Sequence, residues 1–219
     1  MAMDFSDAMA ELPLVAILRG IRSQEAAGIG AALLAAGFRL IEVPLNSPEP
    51  LRSIEILADR FGDRALIGAG TVMTPGQARE VVAAGGRLVV MPHADPEVIG
   101  AAKAASAWCL PGIATPSEGF AALRAGADGL KLFPAEALPP PFVRALKAVM
   151  PGEVPLMPVG GIEPQSLAAY VAAGAAGFGI GSALYKPGVT ADEIGRRART
   201  FADTWLALQT GAPHAVAPN

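Results

Sequence analysis

The sequence predicts an α/β chain folded as a (β/α)8 TIM barrel, a single domain over residues 1–219 with a short flexible C-terminal tail at 210–219. Three observations carry this expectation. Short apolar runs alternate with longer Ala-rich stretches of helical spacing, roughly eight times along the chain. The runs are apolar at nearly every position, as in parallel strands covered by helices on a sheet face. The residues between them are those that start and stop helices.

In order, the first run at 14–18 precedes a helix at 23–36 that opens on Ser23 and closes at Gly37. The second, at 40–43, leads through Ser47-Pro48 to a helix at 48–60. The third and fourth, at 66–69 and 88–91, lead through Thr74-Pro75 and Asp95-Pro96 to helices at 75–84 and 96–105. The fifth, at 107–110, leads through Thr115-Pro116 to 116–125, and the sixth, at 129–132, to 140–149. The seventh, at 155–159, leads through Glu163-Pro164 to 164–173, and the eighth, at 178–180, to a last helix at 192–209. Polar side chains suit the position before a helix, and proline suits its first turn, where an N–H is unpaired anyway. Gly37, Gly85, Gly126 and Gly174 stand where a left-handed cap favours glycine. A length of 219 lies in the lower range for a closed barrel. The alternative is an open doubly wound sheet, but no G-x-G-x-x-G follows the first run, which leads into Arg19-Gly20-Ile21.

Composition narrows the function. Apolar residues make up 52% and charged residues 17%, with 17 basic against 20 acidic side chains and a net charge of −3. A pI near 5.4 without a basic cluster argues against nucleic acid or an anionic membrane as partner. The mean hydropathy of +0.41 comes largely from alanine, roughly a fifth of the chain. The longest uncharged stretch, 164–185, carries four glycines and reads as helix, turn, strand and loop rather than a membrane span. Asp4, Asp7 and Glu11 precede the first basic residue, Arg19, the wrong charge order for a signal peptide. The single cysteine, Cys109, excludes an internal disulfide, fits a cytoplasmic protein, and reads as packing. Two histidines, His93 and His214, leave little for a metal site, so no metal or other cofactor is expected.

In such a barrel the reacting groups sit at the C-terminal ends of the strands. The polar residues there are Arg19, Glu42, Asn46, Thr71, His93, Thr115, Lys131, Gly160-Gly161 and Gly181-Ser182. Lys131 lies in Gly129-Leu130-Lys131-Leu132-Phe133-Pro134, and period-2 alternation points it away from both leucines. Inside a barrel its ammonium is costly to desolvate, so a neutral amine able to form a Schiff base results. The alternative is a buried stem with its tip reaching solvent. Glu42, in Leu40-Ile41-Glu42-Val43-Pro44, is a second charge in an apolar strand; beside Lys131 it could move protons, or the two could form a structural ion pair. Gly160-Gly161 and Gly181-Ser182, after the last two strands, let backbone amides approach a phosphate even without an adjacent Lys or Arg. Arg19 and Thr71 could hold a carboxylate, or be a surface cation and a helix cap. His93 reads as a loop residue, and Glu118, Glu136 and Glu163 as surface carboxylates.

Several motifs occur in order: Leu14-Val15-Ala16-Ile17-Leu18-Arg19-Gly20, Ile41-Glu42-Val43-Pro44-Leu45-Asn46-Ser47-Pro48, Gly68-Ala69-Gly70-Thr71-Val72, Leu130-Lys131-Leu132-Phe133-Pro134, Pro158-Val159-Gly160-Gly161-Ile162 and Gly181-Ser182. Together, over about 12–208, the chain resembles the 2-dehydro-3-deoxy-phosphogluconate/phosphogalactonate aldolases. That resemblance implies a class I (Schiff-base) aldolase, a cytoplasmic homotrimer of (β/α)8 barrels without a metal. It implies Lys131 as the Schiff-base lysine and Glu42 as the general acid/base. Arg19 and Thr71 would hold the pyruvate carboxylate, and Gly160, Gly161, Gly181 and Ser182 the phosphate. Asn46 and Val159 stand where gluconate-type members carry Arg and Thr, which points to the galactonate branch. The implied reaction is reversible cleavage of 2-dehydro-3-deoxy-6-phospho-D-galactonate to pyruvate and D-glyceraldehyde 3-phosphate, in galactonate catabolism. The alternatives are gluconate or dual specificity, another phosphate-binding barrel enzyme such as an epimerase or synthase, and a non-enzymatic sugar-phosphate-binding protein.

Overall fold

The computed structural model describes residues 3–210. His214 and nearly all of the expected tail lie outside the described residues; Thr210 itself ends the last helix. The first run forms β1 (Leu14–Ile17), followed by β2 (Leu40–Pro44), β3 (Leu66–Gly70) and β4 (Leu88–Val90). The fifth run forms β5 (Trp108–Leu110) and is followed past Pro111 by an unexpected short strand, β6 (Gly112–Ile113), and then come β7 (Leu130–Leu132), β8 (Leu156–Pro158) and β9 (Phe178–Ile180). All ladders are parallel. Six strands form a curled sheet in the order β5-β4-β3-β2-β1-β9, and three form a second in the order β6-β7-β8. Pro111 has no N–H to give, and it is the point at which the chain turns from β4 to β7. At the other edges, Val159 and Gly179 share an isolated parallel bridge.

The helices α1 (Phe5–Glu11), α2 (Ser23–Ala35), α3 (Pro50–Phe61), α4 (Pro75–Ala83) and α5 (Pro96–Ala104) are joined by α6 (Pro116–Arg124), α7 (Pro140–Lys147), α8 (Leu167–Ala172) and α9 (Ala191–Thr210). Thr74, Asp95 and Thr115 cap α4, α5 and α6 as expected, each accepting a backbone N–H. One expected start is corrected: Ser47-Pro48 does not open α3, whose cap is Glu49 and whose first residue is Pro50. α2 begins at Ser23 as expected, but the capping position is Arg22, whose N–H is taken by Glu25. Glu163-Pro164 opens a short 3-10 turn before α8. The four expected closing glycines all have positive φ.

Strand side chains alternate between two cores. Leu14, Ala16, Ile41, Val43, Ile67, Ala69, Val89, Leu130, Leu132, Phe178 and Ile180 face the helices. Val15, Leu40, Leu66, Leu88, Val90, Leu110 and Met157 form a separate inner cluster. Phe5 and Ala8 of α1 close this inner cluster at one end, with Phe5 stacked on Trp108 at 5.6 Å. The sequence reading assigned no helix to 5–11. Its apolar residues are too few for a convincing stripe, and the inner cluster explains them.

Candidate active site

The inner faces carry two charges. Glu42 follows Leu40 on β2, and Lys131 is the central residue of β7. Both are buried, at 2% and 6% exposure. They line one small void with Val15, Ile17, Val90, Leu110, Met157, Val159 and Gly179. That void holds about 10 Å³, near the size of a single water. Glu42 fits only because its neighbours are small: it is registered opposite Gly68, and a Cβ on Gly70 would overlap its Oε2.

The electrostatics follow from burial. Desolvation pushes the Glu42 carboxyl up to about 7, against the opposing pull of Lys131 and Arg19. Burial lowers the pKa of the Lys131 amine; nearby Glu42 opposes this shift and Arg19 adds to it. Glu42 Oε2 is buried and has no hydrogen-bond partner among the described residues. The Lys131 Nζ stands 4.6 Å from the centre of the ring of Phe133, the residue just past the end of β7. The pair is therefore a carboxyl and an amine whose pKa values burial shifts toward each other, up for Glu42 and down for Lys131.

Outward of this void lies a cleft of about 440 Å³. Ile17 and Val159 line both, so the two spaces are adjacent. Arg19, Gly160, Gly161, Gly181 and Ser182, five of the expected binding residues, line the cleft together. Gly160 and Gly161 have φ of 115° and 60°, and Glu136 packs where a Cβ of either would stand. Glu136, expected on the surface, is thus exposed but braces the glycine turn.

Thr71 is the expected residue that does not join. It follows the last residue of β3 but lines neither space, and its backbone is left-handed at φ 57°, a costly state for a β-branched residue. His93 lies in the loop after β4, with Nδ1 buried and unpartnered among the described residues. Cys109 packs in the helix-facing core, its thiol pushed up to about 12 by burial. Among the described residues no three His, Cys, Asp or Glu side chains gather as metal donors. Sequence reasoning missed Lys186, which lines the cleft five residues beyond Gly181. A search for cations along the whole eighth loop, rather than beside its glycines, would have found it. It also missed Phe133, which the same period-2 alternation assigns to the face of Lys131.

The model of a family described as KDPG and KHG aldolase matches residues 5–197. The chain belongs to this family. It is 44% identical over 191 residues to the 2-dehydro-3-deoxy-6-phosphogalactonate aldolase of Escherichia coli (strain K12), covering 87% of this chain and 93% of the relative. A solved structure described as native KDPGal superposes with a TM-score of 0.90 at 41% identity, over 96% of this chain and all of the other. The KDPG aldolase of Legionella pneumophila, solved with pyruvate captured at low pH as a covalent carbinolamine, has a TM-score of 0.78 at 30% identity, over 94% of this chain and 98% of the other. The expected family and its lyase chemistry stand, as does an α/β fold of parallel strands with alternating helices like that of KDPG aldolase.

Proposed function

We propose that this chain is a class I aldolase that reversibly cleaves 2-dehydro-3-deoxy-6-phospho-D-galactonate to pyruvate and D-glyceraldehyde 3-phosphate. The observation that carries the reading is the buried Glu42–Lys131 pair, whose void shares Ile17 and Val159 with a glycine-lined cleft. The galactonate substrate is supported by the name of the Escherichia coli relative and by Asn46 and Val159. The Schiff base is supported by the carbinolamine named for the Legionella relative.

In this reading the neutral Lys131 amine attacks the C2 ketone to give a carbinolamine. Glu42, through one water in the void beside it, protonates the leaving hydroxyl, and loss of water gives a protonated imine. The imine withdraws electrons as the C3–C4 bond breaks. Glu42, ionised after giving up its proton, takes the C4 hydroxyl proton, and glyceraldehyde 3-phosphate leaves. The enamine is protonated at C3 and the pyruvyl imine is hydrolysed, restoring the amine. A carboxyl held near 7 suits a group that must give and take a proton in one cycle. Arg19, with Thr71 as a second donor, holds the carboxylate. Gly160, Gly161, Gly181 and Ser182 hold the phosphate, whose binding energy orients the distant bond.

The same proposal takes the two sheets as arcs of one closed (β/α)8 barrel in a single domain, supported by the Pro111 junction and the Val159–Gly179 bridge. It takes the enzyme as a cytoplasmic homotrimer in galactonate breakdown. A lone buried cysteine supports the reducing compartment, and no described helix is long and apolar enough to cross a membrane. The test is a lactate dehydrogenase-coupled assay with both epimeric 6-phosphates. Pyruvate release favouring the galactonate epimer is expected. Preference for the gluconate epimer overturns the substrate, and no release from either overturns the enzyme.

A further inference from the structure

We infer that Asn46 is a positioning residue for Arg19, holding the guanidinium where it meets the carboxylate of the 2-oxo acid. This rests on the reading of Arg19 as the carboxylate holder. Arg19 is an exposed side chain at the end of β1, and an untethered arginine there loses much rotamer freedom when it binds. Its Nη1 donates to Asn46 Oδ1 at 2.7 Å, across 27 residues and two separate loops. Among the described residues this is the side-chain hydrogen bond that Arg19 and Asn46 each make.

The backbone around the pair is fixed independently. The Gly20 N–H donates to Ser47 Oγ at 2.9 Å, and the Ser23 hydroxyl donates to Glu49 Oε2 at 3.2 Å, so the loop after β1 is laced to the loop after β2. Gly20 has φ of +82°, and a Cβ there would come within 2.8 Å of Pro187 Cγ, which closes the other side. With the main chain held between these loops, the remaining freedom of Arg19 is in its side chain, and Asn46 removes it. The acceptor is neutral. It occupies one of the five guanidinium donors and leaves the charge and the other donors for the ligand. A carboxylate at 46 would cancel that charge and repel an incoming anion.

Borohydride inactivation of the full chain, titrated with pyruvate, separates binding from chemistry without the phosphorylated substrate. Arg19→Ala is expected to raise the half-saturating pyruvate concentration at least tenfold, as loss of a charge-assisted bond predicts. Asn46→Ala is expected to raise it roughly three- to tenfold, with the rate at saturating pyruvate and the melting temperature unchanged. The double variant is expected to match Arg19→Ala, because Asn46 acts only through that side chain. Asn46→Ala at wild-type half-saturation, or effects that multiply in the double variant, would overturn the inference while leaving Arg19 as the carboxylate holder. Arg19→Ala without effect would instead overturn the reading of Arg19 on which it rests.

Discussion

The two ends of the candidate site are built from different materials. At the inner end, Glu42 and Lys131 are side chains on strands, nine-tenths or more buried, in a void lined otherwise by apolar residues and Gly179. At the outer end, Gly160, Gly161, Gly181 and Ser182 offer mainly backbone, on loops around an open cleft with Lys186 on its lining. The contrast matches what the proposed reaction asks of each end. Proton transfer and imine formation need groups poised between charge states, and burial on the strands shifts both groups in that direction. Holding a dianion needs several donors converging on one point, which backbone amides supply without side-chain entropy loss. Damage at the inner end should therefore appear in turnover, and damage at the outer end in substrate affinity.

The largest effect that would sharpen this contrast is at Lys131. Lys131→Met should abolish both turnover and borohydride trapping with pyruvate while the protein stays folded, as mass spectrometry and circular dichroism would report. Trapping at another lysine would break the assignment. Glu42→Gln should lower kcat by about 10²–10⁴-fold with a smaller change in KM. It should also alter the pH dependence of stability. In the folded chain Glu42 holds its proton up to about pH 7, against a value of 4.5 when exposed. Its stabilising contribution is complete below pH 4.5 and is lost as pH rises through 7, of order 3 kcal/mol for this group alone. Urea titrations at pH 5 and pH 8 should show that decline in the wild type and lack it in the variant.

Smaller effects are expected outward. Gly161→Ala brings a Cβ within 2.8 Å of Glu136 Cγ in a left-handed backbone. It should raise KM for the phosphorylated substrate roughly tenfold, with pyruvate trapping unchanged. A fall in trapping would mean that the two ends are not separable. Smallest is Val159→Thr, at the junction of void and cleft. The added hydroxyl should shift epimer preference toward the gluconate substrate by ~0.5–1.5 kcal/mol, read as a ratio of kcat/KM values.

Much of this was legible in the chain itself. Alternation places Lys131 and Glu42 on a face opposite their leucine and isoleucine neighbours whatever the tertiary arrangement, and a charge on such a face must be buried, paired or working. Gly160-Gly161 and Gly181-Ser182 after the last two apolar runs likewise mark turns where backbone amides are accessible. Other features were not legible, because they depend on what stands across space. The role of Gly70 exists only because Glu42 leans over it from the next strand. Ser47-Pro48 carries a helix-start signature, yet Ser47 spends its oxygen on the Gly20 N–H of another loop. Glu136 and Lys186 look like surface charges until the loops bearing them meet at the cleft.

The sequence by itself determined the alternation of strands and helices, a lysine and a glutamate set into apolar strands, and the family, since each is written in spacing along one dimension. Only the tertiary structure decided which side chains share a void, that a short strand follows the fifth run, and which asparagine steadies Arg19. Those depend on contacts between residues tens of positions apart, and the energy of a contact is set by distance in space, to which distance along the chain gives no access.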